Sequence, residues 1–145
     1  MVVVDTNVLV YAADTASAEQ AQCRALLEDL RVRITPWCLT WGILYEFLRV
    51  VTHPRVFRRP WGTAQAWEFV EALLASPAVQ ILVHTARHPA VVAQTLAEVP
   101  GLRGNLLHDA HTAILMREHG IRRIYTRDSD FHRFGFLEVV DPLSA

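Results

Sequence analysis

The apolar positions of the chain fall into short continuous runs separated by longer stretches with helical spacing. Met1 to Val4 form an unbroken, Val-rich run, the pattern of a strand buried on both faces. Asp5, Thr6 and Asn7 break it with residue types that cap helices, and Val8 to Ala13 can continue as an apolar helical turn. Residues 17–30 open on Ser17 as a cap and place Ala18, Ala21, Ala25, Leu26 and Leu30 at helical spacing, which predicts an amphipathic helix. A short strand is expected over Arg31–Thr35, ended by Pro36. Thr40 opens a strongly apolar helix, TWGILYEFLRVVT, that stops before Pro54. Further helices are expected over Gly62–Ala75, with Ala66, Phe69, Val70 and Leu73 inward, and over Pro89–Val99. Another runs from Asn105 to Gly120, where Gly120 suits the position after a helix end and His119 sits near the negative end of the dipole. Strands are expected at Val79–Val83, Arg122–Thr126 and Leu137–Val140. Strands alternating with helices imply a parallel sheet covered on both faces. The fold class is therefore α/β, three layers deep, with a central parallel sheet of four to five strands.

Length adds that residues 1–145 make one domain, able to bury a real core at 52% hydrophobic residues. No apolar run approaches the roughly 18 residues of a membrane span, and no signal peptide is visible, so a cytoplasmic location and no membrane partner are expected. Cys23 and Cys38 make neither a metal-type pair nor a disulfide framework and read as buried thiols. The net charge of −1 does not mark a basic nucleic-acid binder. All fourteen basic residues are Arg, which a GC-rich genome would produce, although Arg is also the better bidentate phosphate ligand.

The candidate chemistry lies in four acids. Asp5 follows the first strand and Asp128 the fourth, at strand carboxyl ends, where open α/β sheets bind ligands. Asp109 begins the helix before the fourth strand, where the dipole alone would favour an acid. Glu46 stands between apolar Ile43 and Val50 on its helix, either as an edge-of-core residue pairing with Arg49 or as an acid reaching into a site. If strands one and four are neighbours, three of these carboxylates converge at the switch point and Glu46 reaches in from the side. Four acids with no Lys nearby cannot all ionise in one cleft without a cation, and hard carboxylate oxygens select Mg²⁺ or Mn²⁺. Such ions support hydrolysis of a nucleic-acid backbone. The loop HPRVFRRPW interleaves Arg55, Arg58 and Arg59 with Phe57 and Trp61. It is either a phosphate- and base-binding surface or a solvated loop anchored by its aromatics. His108 and His111 have neither HExxH spacing nor a third ligand to make a zinc site, and read as partly exposed polar residues.

VVVDTNVLVYA at the start, the helix with Glu46, THPRVF after it, LLHDAHTAILMREHG and YTRDSDF occur in an order and spacing that resemble a PIN-domain ribonuclease. More narrowly the chain resembles a VapC-type toxin of a bacterial toxin–antitoxin pair, over nearly its whole length. The resemblance maps the acidic site onto Asp5, Glu46, Asp109 and Asp128; Asp130 is an extra acid in the last motif, either a direct metal ligand or a residue behind one. It makes Thr6 a site hydroxyl, Asn7 the residue that orients Asp5, and Thr126 a supporting residue. It implies a PIN-like fold, Mg²⁺ or Mn²⁺ as cofactor, RNA as substrate, a cognate antitoxin as partner, and a homodimer. A catalytically silent PIN-like scaffold and a nuclease of RNA processing without an antitoxin are the alternatives. A haloacid-type phosphatase would need an acid where Asn7 stands, and a receiver domain would need a Lys. P-loop and Rossmann glycine motifs are absent.

Overall fold

The computed structural model describes residues 1–144. In chain order they form β1 (Val2–Val4), α1 (Thr6–Ala13), α2 (Gln20–Val32), β2 (Trp37–Thr40), α3 (Trp41–Val51), α4 (Thr63–Leu74) and β3 (Val79–Leu82). Then follow α5 (His88–Glu98), α6 (Leu106–Glu118), β4 (Arg123–Tyr125), a 3₁₀ turn (Ser129–Arg133) and β5 (Glu138–Val140). The five strands make one sheet in the order β3-β2-β1-β4-β5, and every pairing is parallel. α1 packs on α2 and α3, α3 on α4, and α5 on α6, the two groups that right-handed crossovers place on opposite faces of a three-layer α/β/α sandwich. Among the described residues no helix is long and apolar enough to cross a membrane.

β1 lies at the centre because Val3 and Val4 have no exposed surface, and β4 beside it aligns Val4 with Tyr125. The chain leaves β1 toward β2 and leaves β4 toward β5, in opposite directions. Strands one and four are thus adjacent, and the crevice between their carboxyl ends is the switch point of the sheet.

Two local expectations are corrected. Arg31–Thr35 is not a strand: α2 continues to Val32, and Val32 and Ile34 stand exposed. The second strand forms after Pro36 instead, because the continuous run Trp37, Cys38 and Leu39 is what the sheet buries. Ser17 does not cap the regular helix. Its hydroxyl accepts from Glu19 N at 3.1 Å and donates to the Glu19 carboxylate at 2.6 Å, closing a turn before α2 begins at Gln20.

Thr40 does cap α3, its hydroxyl accepting from Ile43 N at 3.0 Å. Ile43, Leu44, Phe47 and Val51 then bury one face of that helix. Phe47 stacks on Phe69 with ring centres 4.8 Å apart, and Trp61 meets Phe47 edge-on at 6.2 Å. Phe57 is buried as well, so the aromatics of the 53–61 loop serve as its anchors. The far end of α6 closes in a Schellman motif: Ile121 N reaches Met116 O at 2.9 Å and Gly120 N reaches Arg117 O at 3.2 Å. Gly120 holds a φ of +68° there, so Gly120→Ala should cost about 1 kcal/mol, read as a lower urea midpoint at unchanged m-value.

Candidate active site

Asp5 is at once the end of β1 and the cap of α1, with Oδ1 accepting from Thr6 N at 2.8 Å. Its other oxygen accepts from Thr126 Oγ1 at 2.8 Å and from Asn7 Nδ2 at 3.0 Å. Thr126, buried at the end of β4, also accepts from Asn7 Nδ2 at 2.9 Å and from Asp128 N at 3.0 Å. Asn7 completes the knot by accepting from Arg127 N at 3.1 Å. These contacts join the β1 end to the β4 end and fix the direction of the Asp5 carboxylate. Thr6 also lines the cleft, and its hydroxyl donates to Ile43 O at 3.1 Å, tying α1 to α3.

Asp128 turns the chain after β4, its Oδ1 accepting from Asp130 N at 2.9 Å. This places Asp128 and Asp130 on one side of the crevice, and the first turn of α6 brings Asp109 to the other. One carboxylate oxygen from each of Asp109, Asp128 and Asp130 falls within 4.8 Å of the other two. Asp5 and Glu46 line the same cleft, which measures about 730 Å³. Glu46 is turned toward Arg49, which grips it through two nitrogens at 2.6 and 3.1 Å. Both readings of Glu46 therefore describe it: it lines the cleft and it pairs with Arg49.

The electrostatics follow from this crowding. Burial pushes the Asp5 carboxyl up to about 6, against the hydrogen bonds of Thr126 and Thr6, and Asp128 and Glu46 add to the rise. Asp109 is pushed up to about 7 by burial and then by the charges of Asp128, Asp5, Asp130 and Glu46. Glu46 moves down, held there by Arg49. The nearest cation to Asp130 is Arg133, at 3.7 Å. A cleft of acids this short of positive charge, with three oxygens inside the span of one coordination sphere, fits a hard divalent cation.

Arg55, Arg58 and Arg59 are exposed on their loop and are not among the cleft residues. The basic side chains that do line it are Arg49 and Arg103. Arg49 was legible as a partner of Glu46. Arg103 was not, because it lies in the turn-rich segment before α6 and carries no periodic signal. Likewise unforeseen are His84 and His88, which the β3–α5 connection brings against His111 on α6.

Known proteins share this architecture along the full chain. The profile of the PIN domain family matches residues 2–137. Ribonuclease VapC48 of Mycobacterium tuberculosis is 35% identical over 140 residues, covering 97% of this chain and 96% of its own. Ribonuclease VapC43 of the same organism is 39% identical over 143 residues, covering 99% and 96%. The crystal structure of M. tuberculosis VapC20, described as a Sarcin-Ricin loop cleaving toxin, superposes with a TM-score of 0.67 at 21% identity, covering 96% and 98%. VapBC2 from Rickettsia felis, solved bound to a DNA fragment from its promoter, superposes with a TM-score of 0.69 at 17% identity, covering 97% and 98%. Matched in profile across nearly its whole length and in sequence to full-length relatives, the chain belongs to the PIN domain family.

Proposed function

We propose that this protein is a metal-dependent endoribonuclease, the toxin component of a toxin–antitoxin pair, acting in the cytoplasm. One observation carries the reading: Asp5, Asp109, Asp128 and Asp130 are gathered at the carboxyl ends of two adjacent strands, and among the described residues no Arg pairs with Asp5 or Asp109. The relatives at 33–39% identity, named as ribonucleases, support the same substrate class.

Asp109, Asp128 and Asp130 would hold Mg²⁺, or Mn²⁺ in its place, with Asp5 and Glu46 beside them. Bound there, the cation supplies Lewis acidity toward a phosphodiester oxygen and toward water. The protein's own part is positioning. Thr126 and Asn7 hold one Asp5 oxygen and Thr6 N the other, while Thr126 and Asn7 also accept from the backbone of the β4 turn. Arg49 and Arg103 stand where a phosphate backbone entering the cleft would meet them, and Arg is suited to bidentate phosphate contacts. Arg55, Arg58 and Arg59 would extend that contact beyond the cleft along a longer RNA. A cognate antitoxin is the partner that would keep the cleft closed, and a homodimer is the assembly.

The test is the purified protein on structured and single-stranded RNAs, with Mg²⁺, with Mn²⁺ and with chelator. Cleavage is expected with either ion, and chelator should suppress it by at least about a hundredfold. Cleavage that persists undiminished in chelator overturns the metal mechanism.

A further inference from the structure

A second cluster of metal-ligating side chains lies beside the acidic cleft and differs from it in ligand chemistry. His84 lies just after β3, His88 opens α5, and His111 sits on α6 one half-turn beyond Asp109. His84 Nε2 and His111 Nε2 face each other at 3.0 Å. Two nitrogens bound at about 2.05 Å to one tetrahedral ion stand roughly 3.3 Å apart, so this pair already has nearly the required bite. Three imidazoles on one such ion have ring centres about 5 Å apart. Here His84–His111 is 5.3 Å, His84–His88 is 4.1 Å and His88–His111 is 6.4 Å. With His88 held on Glu118, a shift of about 1.2 Å by each of the His84 and His111 rings, His84 outward and His111 toward His88, evens the three to that spacing.

Two further features point to a ligand. Glu118 on α6 is only 3% exposed, a charged side chain in the core layer. It accepts from Thr85 N at 2.9 Å and Thr85 Oγ1 at 2.7 Å, and it contacts His88 Nδ1 at 2.6 Å. With the Nδ1 proton committed to Glu118, the lone pair of His88 is on Nε2. A buried carboxylate behind a histidine is how proteins fix the tautomer and raise the basicity of a metal ligand. Gly42 supplies the other constraint. A Cβ there would come within 3.1 Å of His111 Nδ1, so the glycine leaves room for the imidazole with its Nε2 turned toward His84.

We propose that His84, His88 and His111 form a binding site for a borderline transition-metal cation of the Zn²⁺ class, with Glu118 as the residue that positions His88. Imidazole nitrogens suit such ions and the hard carboxylate cleft does not depend on them. His111 also lines the acidic cleft, so an ion held on the histidines fixes one wall of it.

The experiment titrates Zn²⁺ into the full chain in excess Mg²⁺, against a chromophoric chelator, and repeats the titration with Co²⁺ to read its visible absorption. Wild type should bind one Zn²⁺ and give the intense bands of tetrahedral Co²⁺. His84→Ala and His88→Ala should each weaken Zn²⁺ at least tenfold and lose those bands, and Asp128→Asn should retain both. Glu118→Gln should weaken Zn²⁺ about 10- to 100-fold. Should that buried substitution fail to fold, the two exposed-side histidine variants still decide the matter. Three outcomes overturn the proposal: no Zn²⁺ bound by wild type in Mg²⁺, binding unchanged in both histidine variants, or binding lost in Asp128→Asn.

Discussion

Asp109→Asn is expected to lower RNA cleavage by about a hundred- to a thousandfold while leaving the metal-free protein at least as stable as the wild type. The two halves of that expectation have one cause. Asp109 owes its raised pKa to burial and to four neighbouring acids, and none of the contributions is a hydrogen bond. Removing its charge takes away a ligand oxygen from the Asp109–Asp128–Asp130 group and takes away repulsion at the same time. The near-isosteric amide leaves no cavity. Asp5→Asn should abolish cleavage equally, but it is the less clean variant. The Asp5 carboxylate accepts from Thr6 N, Asn7 Nδ2 and Thr126 Oγ1, and an amide cannot accept all three. Its own NH₂ would confront either Asn7 Nδ2 or Thr6 N, leaving a half-buried donor without an acceptor, at a cost of about 1 kcal/mol. Single-turnover cleavage of a susceptible RNA, with thermal melts of the same preparations, checks both statements. Full activity in a folded Asp109→Asn protein would remove Asp109 from the machinery.

The same pair of variants explains what could be read from the residues in advance. Continuous apolar runs such as Val2–Val4 identify strands because a parallel sheet buries both faces, and the strand-end position of Asp5 follows directly. Asp128 is legible for the same reason, and Asp109 through the clear helical pattern of α6. The failures have physical causes too. Arg31–Thr35 carries β-branched residues, but Val32 and Ile34 are left in solvent, and propensity yielded to burial. Whether Phe57 and Trp61 were base-stacking or core residues could not be decided locally, since Phe57 packs on Trp61 and the other partners of Trp61, Phe47 and Phe69, come from other elements. His84, His88 and Glu118 escaped notice because their association depends on how β3, α5 and α6 meet, and no spacing within one segment records that. Arg49 shows the intermediate case: an i,i+3 neighbour of Glu46 is visible in sequence, but its place on the cleft wall is not.

The stability of the metal-free protein should fall as pH rises from about 4 to 8, and millimolar Mg²⁺ should restore it progressively more at the alkaline end. The sign follows from the direction of the shifts. Asp5 goes from an ordinary 3.8 up to about 6, and Asp109 from 3.8 up to about 7. Between those values the folded state holds protons that the unfolded chain has released, so raising the pH favours unfolding. The folded state is unpenalised below pH 3.8 and carries the full penalty once the pH has passed about 7. Each unit corresponds to about 1.4 kcal/mol, and with Asp109 partly open to solvent the combined effect is about 2–4 kcal/mol. Glu46 works in the opposite direction, but its partner Arg49 is exposed and such pairs contribute little. His111 also works in the opposite direction: burial and the nearby His84 and His88 lower its pKa, so acid below about 6.5 destabilises the fold through it. The two trends are separable by difference. Asp109→Asn keeps the histidine contribution and loses the largest part of the carboxylate one. Its melting temperature should therefore stay flatter between pH 5 and 8 than that of the wild type and respond less to Mg²⁺. At pH 5, where Asp5 and Asp109 already hold protons, the ion should raise the melting temperature less than at pH 8, and the two proteins should respond more alike. An Mg²⁺-induced rise in melting temperature that is the same at pH 5 and pH 8, or the same in both proteins, would place the ion elsewhere than on these carboxylates.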